Sequence, residues 1–229
     1  MIAIYIYLYL DLRYTMHRDP EVTNVIGMPR DGLIVYSSEK SNCTQVVETT
    51  LERLGLLHTA KDHSPWVHDW RWNVYKPRNR VTVSEIATAK RQGCITLKFV
   101  RDPVDRFASM YTRYNKLGLK GVASGLTVDQ FISRLSTENL LRYTDTRFDA
   151  HYLSQSFDGE MDDMWTEVIH VETLRSASER QRLKETYGLI FDANFTSEHW
   201  THATKESFTS DQRERILTLY EMDTSYALS

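Results

Sequence analysis

Two polar junctions, each following an apolar run, carry the residues best suited to bind an anion. In the first, the apolar residues 32–36 lead into a polar turn that contains Lys40, and a helix is predicted to begin at Cys43. The first-turn N–H groups of a helix have no partner within it, and the helix dipole favours negative charge there. Lys40 could therefore reach a phosphate or sulfate, and Asn42 tolerates the left-handed backbone that a sharp turn needs. An ordinary capped helix with a solvated lysine would give the same pattern.

The second junction begins at Arg101, where the next apolar run ends. Pro103 is suited to the first turn of a helix, and Ser109 lies about two turns along it. At this spacing both side chains can point at one oxyanion, since arginine offers a planar fork of donors and serine a neutral donor. The alternative is structural: Arg101 pairs with Asp105, and Arg106 is solvated.

The elements that must position these residues alternate between strands and helices. Short apolar runs predict buried strands, and helical spacing of apolar residues predicts amphipathic helices between them. The strands are predicted at 32–36, 94–100 and 168–171, and the helices at 43–54, 84–92, from 103, 127–135, 172–187 and 210–220. This alternation predicts an α/β fold with a mostly parallel central sheet flanked by helices.

The whole chain, 1–229, is interpreted as a single domain with three additions. Residues 1–30 form an N-terminal extension, in which the strict alternation of residues 2–10 predicts an extra strand. The tyrosines of that strand could sit at an interface, as in a homodimer. Residues 57–80 are expected to be loop-like, and the insertions 57–82 and 116–165 are expected to lie on the acceptor side of the site.

Composition excludes several classes of protein. The 28 basic residues are outnumbered by 31 acidic ones, which argues against broad nucleic-acid binding. Neither the dinucleotide-binding fingerprint nor the standard Walker loop occurs among the nine glycines. The two cysteines form no metal-ligand cluster, and they favour a reducing compartment. The start of the chain lacks the features of a secretory signal and is too short an apolar run to span a membrane, so we expect a cytoplasmic protein.

Together the two junctions resemble those of the PAPS-dependent sulfotransferases of the carbohydrate-sulfotransferase type (family 2). The turn Lys40-Ser41-Asn42-Cys43-Thr44 is similar to the family's Lys-x-Gly-Cys/Ser-Thr turn, with asparagine in place of glycine and Glu39 in place of the usual preceding proline. Residues 101–109 reproduce the family's Arg-Asp-Pro-x-x-Arg-x-x-Ser segment in full. Weaker similarities are His151-x-x-x-Gln155, residues 168–174, residues 219–223 and Val67-His-Asp-Trp70.

This resemblance covers residues 33–226 and implies a three-layer fold like that of P-loop NTPases. It implies transfer of the sulfuryl group of PAPS to a hydroxyl or amine of a carbohydrate or other small molecule, with PAP as product and no metal. Lys40 would be catalytic and would bind the 5′-phosphosulfate, helped by the backbone at Ser41, Asn42, Cys43, Thr44 and Gln45. Arg101 and Ser109 would bind the 3′-phosphate, and Lys205 lies in a late loop that closes over the nucleotide in such enzymes.

The acceptor proton needs a base, for which histidine is suited near neutral pH. His68 is the first candidate and His151 the second, with Asp69 and Glu172 as orienting partners. The alternative for His68 is a hydrogen bond within a packed loop, and His170 is expected to be a satisfied core histidine. The tryptophans at 66, 70 and 72 could wall the acceptor site.

Two other functions are compatible with the sequence. One is a phosphotransferase built on a degenerate P-loop, in which Mg²⁺-dependent ATP turnover would be required. The other is a non-catalytic module that binds PAP or another nucleotide.

Overall fold

A computed structural model of the chain describes residues 21–22, 24–117, 125–137, 154–157, 159–193 and 208–228. The predicted strand at 2–10 and the candidate residues His151 and Lys205 lie outside this described part.

The centre of the fold is a four-stranded sheet in which the strands stand in chain order. The strands are β1 (Val25–Ile26), β2 (Leu33–Ser37), β3 (Ile95–Val100) and β4 (Glu167–His170). β1 is antiparallel to β2, whereas β2, β3 and β4 run parallel. The three strands expected from the sequence are confirmed to within one residue at each end. The sequence analysis missed β1, because two residues are too few to show an alternation.

Helices connect the strands and cover the sheet. They are α1 (Cys43–Arg53), α2 (Leu57–His63), α3 (Val67–Trp70), α4 (Val83–Arg91), α5 (Pro103–Leu117), α6 (Val128–Thr137), α7 (Ala177–Tyr187) and α8 (Ser210–Leu219). A π-helical turn (Arg71–Tyr75) continues α3, and short 3₁₀ turns follow at Lys76–Arg78, Val171–Arg175 and Glu221–Tyr226.

The sheet lies between two layers of side chains. Ile34 and Tyr36 share one hydrophobic cluster with Ile86 of α4. Leu33 and Val35, which point the other way because side chains alternate along a strand, share another with α1 and α7 residues. The coarse α/β architecture with a mostly parallel sheet flanked by helices is therefore confirmed.

The expectation that residues 57–80 are loop-like was wrong. Residues 57–63 and 67–78 are helical, since Val67, Trp70 and Tyr75 are buried in one cluster against α1 and β1. The helix expected over 84–92 is confirmed to within one residue at each end. Thr82 caps it: the Thr82 hydroxyl accepts a hydrogen bond from the Glu85 amide, and the Glu85 carboxylate accepts one from the Thr82 amide.

The helix expected over residues 172–187 is in fact two elements, a 3₁₀ turn and then α7, separated by Ser176 in extended backbone. Among the helices that the structure describes, none combines the length and apolar character needed to cross a bilayer.

Candidate functional site

The turn between β2 and α1 is tightly wound. Lys40 and Asn42 both have left-handed backbone, with φ of 66° and 56°. The expectation for Asn42 is therefore confirmed, whereas a left-handed lysine is unusual and costs about 1–2 kcal/mol. The Ser38 and Ser41 hydroxyl oxygens lie 2.7 Å apart inside the turn. The surrounding structure must supply the contacts that hold this conformation.

Arg106 is one source of those contacts. Its Nε donates a 2.9 Å hydrogen bond to the carbonyl oxygen of Glu39, one residue before Lys40. Its guanidinium carbon also lies 5.6 Å from the centre of the Tyr220 ring. With only 2% of its surface exposed, Arg106 is not the solvated residue that the structural alternative requires. Sequence reasoning assigned it no role, although it belongs to the Arg-Asp-Pro-x-x-Arg-x-x-Ser segment.

Arg101 joins the second junction to the first. Its Nη1 donates to the carbonyl oxygen of Lys40 at 3.2 Å, and its Nε lies 3.9 Å from Oε1 of Glu172. Burial lowers the pKa of Arg101, and the Glu172 charge opposes that shift. The two junctions that the sequence singled out are therefore adjacent in space.

Glu172, in the 3₁₀ turn that follows β4, contacts the second junction. Its Oε1 accepts a 3.0 Å hydrogen bond from the Asp102 amide, while its buried Oε2 has no hydrogen-bond partner within the described residues. Burial raises the pKa of the Glu172 carboxyl, and the Asp102 amide and the Arg101 charge oppose the shift. Among the described residues, Glu172, which is expected to orient a histidine base, contacts Arg101 and Asp102.

Gln155 lies between the two junctions and is completely buried. Its Oε1 accepts hydrogen bonds from the Ser41 hydroxyl at 2.8 Å and from the Arg101 amide at 2.7 Å. Its Nε2 donates to the carbonyl oxygen of Arg101 at 2.7 Å. Sequence reasoning gave Gln155 no function, and its only signal was the weak His-x-x-x-Gln similarity.

Glu39 and Arg71 form a buried polar network beneath the turn. The Glu39 carboxylate accepts a 2.7 Å hydrogen bond from Nδ2 of Asn24, whose Oδ1 accepts one from Arg71 at 3.2 Å. Burial, followed by the Glu39 charge, raises the pKa of the Cys43 thiol, and the Arg71 and Lys40 charges oppose the rise. Arg71 is thus a further buried cation close to the start of α1, which sequence reasoning missed.

His68 lies against the first turn of α1. Its Nε2 is 3.1 Å from the Thr44 hydroxyl oxygen and 4.0 Å from the Cys43 sulfur. The sequence therefore selected a histidine that the fold brings to the lysine turn. Asp69, its expected orienting partner, contacts other residues: its two carboxylate oxygens lie near His63 at 3.4 Å and Asn73 at 2.8 Å.

The three tryptophans have different environments. Trp66 is 60% exposed, and its ring centre lies 5.4 Å from that of His68. Trp72 is half-buried, with the Lys76 ammonium 4.6 Å from its ring centre. Trp70 is buried against Tyr75, so it is a core residue and presents no face to an acceptor.

The remaining candidate residues have the following contacts. Asn42 donates to Gln45 at 2.6 Å, and Gln45 donates to the carbonyl oxygen of Asp192 at 3.0 Å. Ser109 is buried in α5, one helical turn after Arg106. His170 is half-buried, but its Nδ1 lacks a hydrogen-bond partner within the described residues, so the expectation of a satisfied core histidine was wrong.

The described residues contain no group of three or more histidine, cysteine, aspartate or glutamate side chains that could hold a metal ion. No family model, curated protein or solved structure matches the chain.

Proposed function

We propose that the protein is a PAPS-dependent sulfotransferase with a P-loop-like phosphosulfate site. One observation carries the proposal: the Arg101 guanidinium lies within hydrogen-bond distance of the backbone of Lys40. The two sequence segments that resemble the family's 5′-phosphosulfate and 3′-phosphate motifs are therefore neighbours at the carboxyl ends of two adjacent parallel strands. Ligands of open α/β sheets bind at this edge.

The residues of the turn suit a developing negative charge. Lys40 provides a cation, and the start of α1 provides backbone N–H groups and the positive end of a helix dipole. PAPS supplies an activated sulfuryl group, whose bond to a phosphate oxygen breaks as the bond to the acceptor oxygen or nitrogen forms. Lys40 and these N–H groups would stabilise the charge that the phosphate oxygen gains. Arg101 and Ser109 would hold the 3′-phosphate, and Arg101 can do so bidentately.

His68 is the base in this proposal. It would accept the proton that the acceptor hydroxyl or amine loses as the new bond to sulfur forms, and a positioned base of this kind contributes about 10²–10⁴-fold to the rate. The 3.1 Å separation of its Nε2 from the Thr44 hydroxyl oxygen keeps the imidazole beside the turn. The exposed Trp66 ring next to it offers an apolar face for stacking against a sugar ring or another ring-bearing acceptor.

Calorimetry with PAP tests the 3′-phosphate assignment. Arg101→Ala should weaken PAP binding about 30-fold or more, as expected for a lost charge-assisted contact of about 2 kcal/mol or more. The control is Arg215→Ala on α8, which removes the same charge from an exposed ion pair with Asp129 of α6. Equal affinity of the Arg101 variant and the parent would refute the assignment, and no PAP binding by the folded parent would refute the proposed function.

Turnover with PAPS and a panel of sugar and phenol acceptors tests the base. His68→Ala should lower kcat by about 100-fold while leaving PAP affinity nearly unchanged, because a base acts on the acceptor proton. His63→Ala is the matched control, since His63 is an exposed histidine in the preceding helix α2. Loss of PAP binding in the His68 variant would instead assign His68 a structural role through Thr44.

The same assays separate the two other functions. Strict Mg²⁺-dependent turnover of ATP would favour the phosphotransferase. PAP binding without sulfate transfer to any acceptor of the panel would favour the non-catalytic module.

A further inference from the structure

We propose that Gln155, anchored by Asp223, is a positioning residue that fixes the Lys40 turn against Arg101. This inference rests on the proposed function only where it concerns PAP binding, which needs the two anion-binding junctions at the right distance. The hydrogen bonds that hold the two junctions together can be tested without any ligand.

The Gln155 amide replaces a missing strand partner. The β2–β3 ladder ends where Ser37 pairs with Phe99, because the chain leaves β2 at Ser38 to enter the turn. The backbone N–H and C=O of Arg101, just beyond that ladder, both bond to the Gln155 side chain instead.

The same amide also holds the turn. Its Oε1 accepts from the Ser41 hydroxyl at 2.8 Å, and Ser38 adds a longer contact of 3.3 Å to the same oxygen. One carbonyl oxygen therefore binds both junctions at once. Its position fixes the distance between the backbone of the lysine turn and the residue after β3.

Asp223 anchors Gln155 from the other side. Its two carboxylate oxygens accept from the backbone N–H of Gln155 at 2.9 and 2.8 Å. They also accept from the backbone N–H of Ser156 at 2.9 Å and from the Ser154 hydroxyl at 3.0 Å. Like Gln155, Asp223 has no exposed surface. A fully buried carboxylate with several donors is rigidly held, because leaving those groups unpaired inside the protein costs free energy.

The C-terminal segment 220–228 also contacts the second junction independently of Gln155. The Leu228 N–H donates to Asp102 Oδ2 at 3.0 Å, and the Tyr226 hydroxyl lies 2.8 Å from the buried ammonium of Lys98 on β3. This segment therefore bonds to β3 and to the β3–α5 junction at Lys98 and Asp102. Through Asp223 and Gln155 it is also connected to the lysine turn. A side-chain amide suits this position, because it carries both an acceptor and a donor and so satisfies the Arg101 N–H and C=O together.

Gln155→Met tests the inference, because methionine has a similar size but neither donor nor acceptor of comparable strength. The matched control is Thr96→Val at the opposite end of β3, which removes a hydroxyl that is equally buried and bonded to Met164 and Thr166. Amide hydrogen exchange is followed by mass spectrometry in the turn (38–45) and at the second junction (98–106). PAP affinity is measured by calorimetry on the same samples, at a temperature where each variant is folded.

We expect Gln155→Met to accelerate exchange roughly tenfold or more in both segments and to weaken PAP binding by about the same factor, whereas Thr96→Val should change neither. Exchange and affinity within about twofold of the parent would overturn the inference. Weaker PAP binding with unchanged exchange would also overturn it, since the junctions would then not have loosened.

Should Gln155→Met fail to fold, Ser41→Ala decides the question, because it removes the hydroxyl that bonds Gln155 and Ser38 and leaves the bonds between Gln155 and Arg101 in place. It should accelerate exchange in the turn and leave the second junction unchanged; unchanged exchange in the turn would overturn the inference. If the variants show the expected exchange differences from the parent but the parent binds no PAP, the proposed function is refuted and the positioning role of Gln155 stands.

Discussion

Replacing Arg106 by methionine should destabilise the protein more than removing Arg182, an arginine that pairs with two carboxylates nearer the surface. Arg106 is almost fully buried and donates its Nε hydrogen bond to Glu39, at the entrance of the strained lysine turn. A hydrogen bond to a charged group contributes about 1.5–3 kcal/mol, and a desolvated cation over an aromatic ring contributes about 2 kcal/mol. Methionine fills much of the space and removes the desolvation cost of the guanidinium, which offsets part of this loss. We expect the free energy of unfolding to fall by about 3 kcal/mol.

Equilibrium urea unfolding measures this effect as a lower midpoint with an unchanged slope. In a thermal scan the same loss corresponds to about 6–12 °C for a chain of this size. The control is Arg182→Met, whose side chain is 40% exposed and pairs with Glu167 at 2.5 Å and with Glu179 at 2.7 Å. Each exposed ion pair contributes about 0.2–1 kcal/mol, so this variant, which loses two pairs, should lose at most about 2 kcal/mol.

The reasoning would be refuted if Arg106→Met lost less than about 1 kcal/mol, because surface pairs already account for that much. An equal loss in the two variants would also refute it. That result would mean that burial of the guanidinium does not determine the contribution of each arginine to stability.

Two further predictions concern Glu172 and Cys43, whose pKa values are raised by burial. Because burial raises the pKa of Glu172, the folded state binds its proton more readily than the unfolded state does, and stability should fall as pH rises from the ordinary carboxyl range through the raised value. Glu172→Gln should reduce that decline in urea unfolding between about pH 4 and 7, and an unchanged decline would show that other groups cause it. Because desolvation raises the pKa of the half-buried Cys43 thiol, iodoacetamide should modify Cys43 about tenfold more slowly in the folded protein than in urea. Peptide mass spectrometry measures the two rates, and equally fast modification would contradict the raised pKa.

Some tertiary relations of the site could be predicted because they follow from sheet geometry. Apolar runs identify β2 and β3, and Lys40 and Arg101 come directly after them. Because parallel neighbours end at the same edge of a sheet, residues at those two positions must be close whatever the rest of the chain does. The left-handed backbone of Asn42 was equally predictable, since its side chain is one of the few that tolerate it.

Other features depend on partners distant in the sequence, and local pattern does not specify them. The sequence of residues 57–80 resembles a polar, aromatic-rich loop. Most of these residues are nevertheless helical, because Trp70 and Tyr75 pack in a buried cluster with α1 and β1. The burial of Arg106 likewise depends on Tyr220, more than a hundred residues later.

The order of residues along the chain is thus enough to show which residues follow the strands and which of them could bind an anion. The contacts that hold those residues in place come from the folded core: Gln155 lies between the junctions, Arg106 bonds the turn and His68 lies beside α1. The physical reason is that periodicity encodes which face of an element is buried, whereas a buried hydrogen bond between distant segments requires donors and acceptors that meet only once the whole core has assembled.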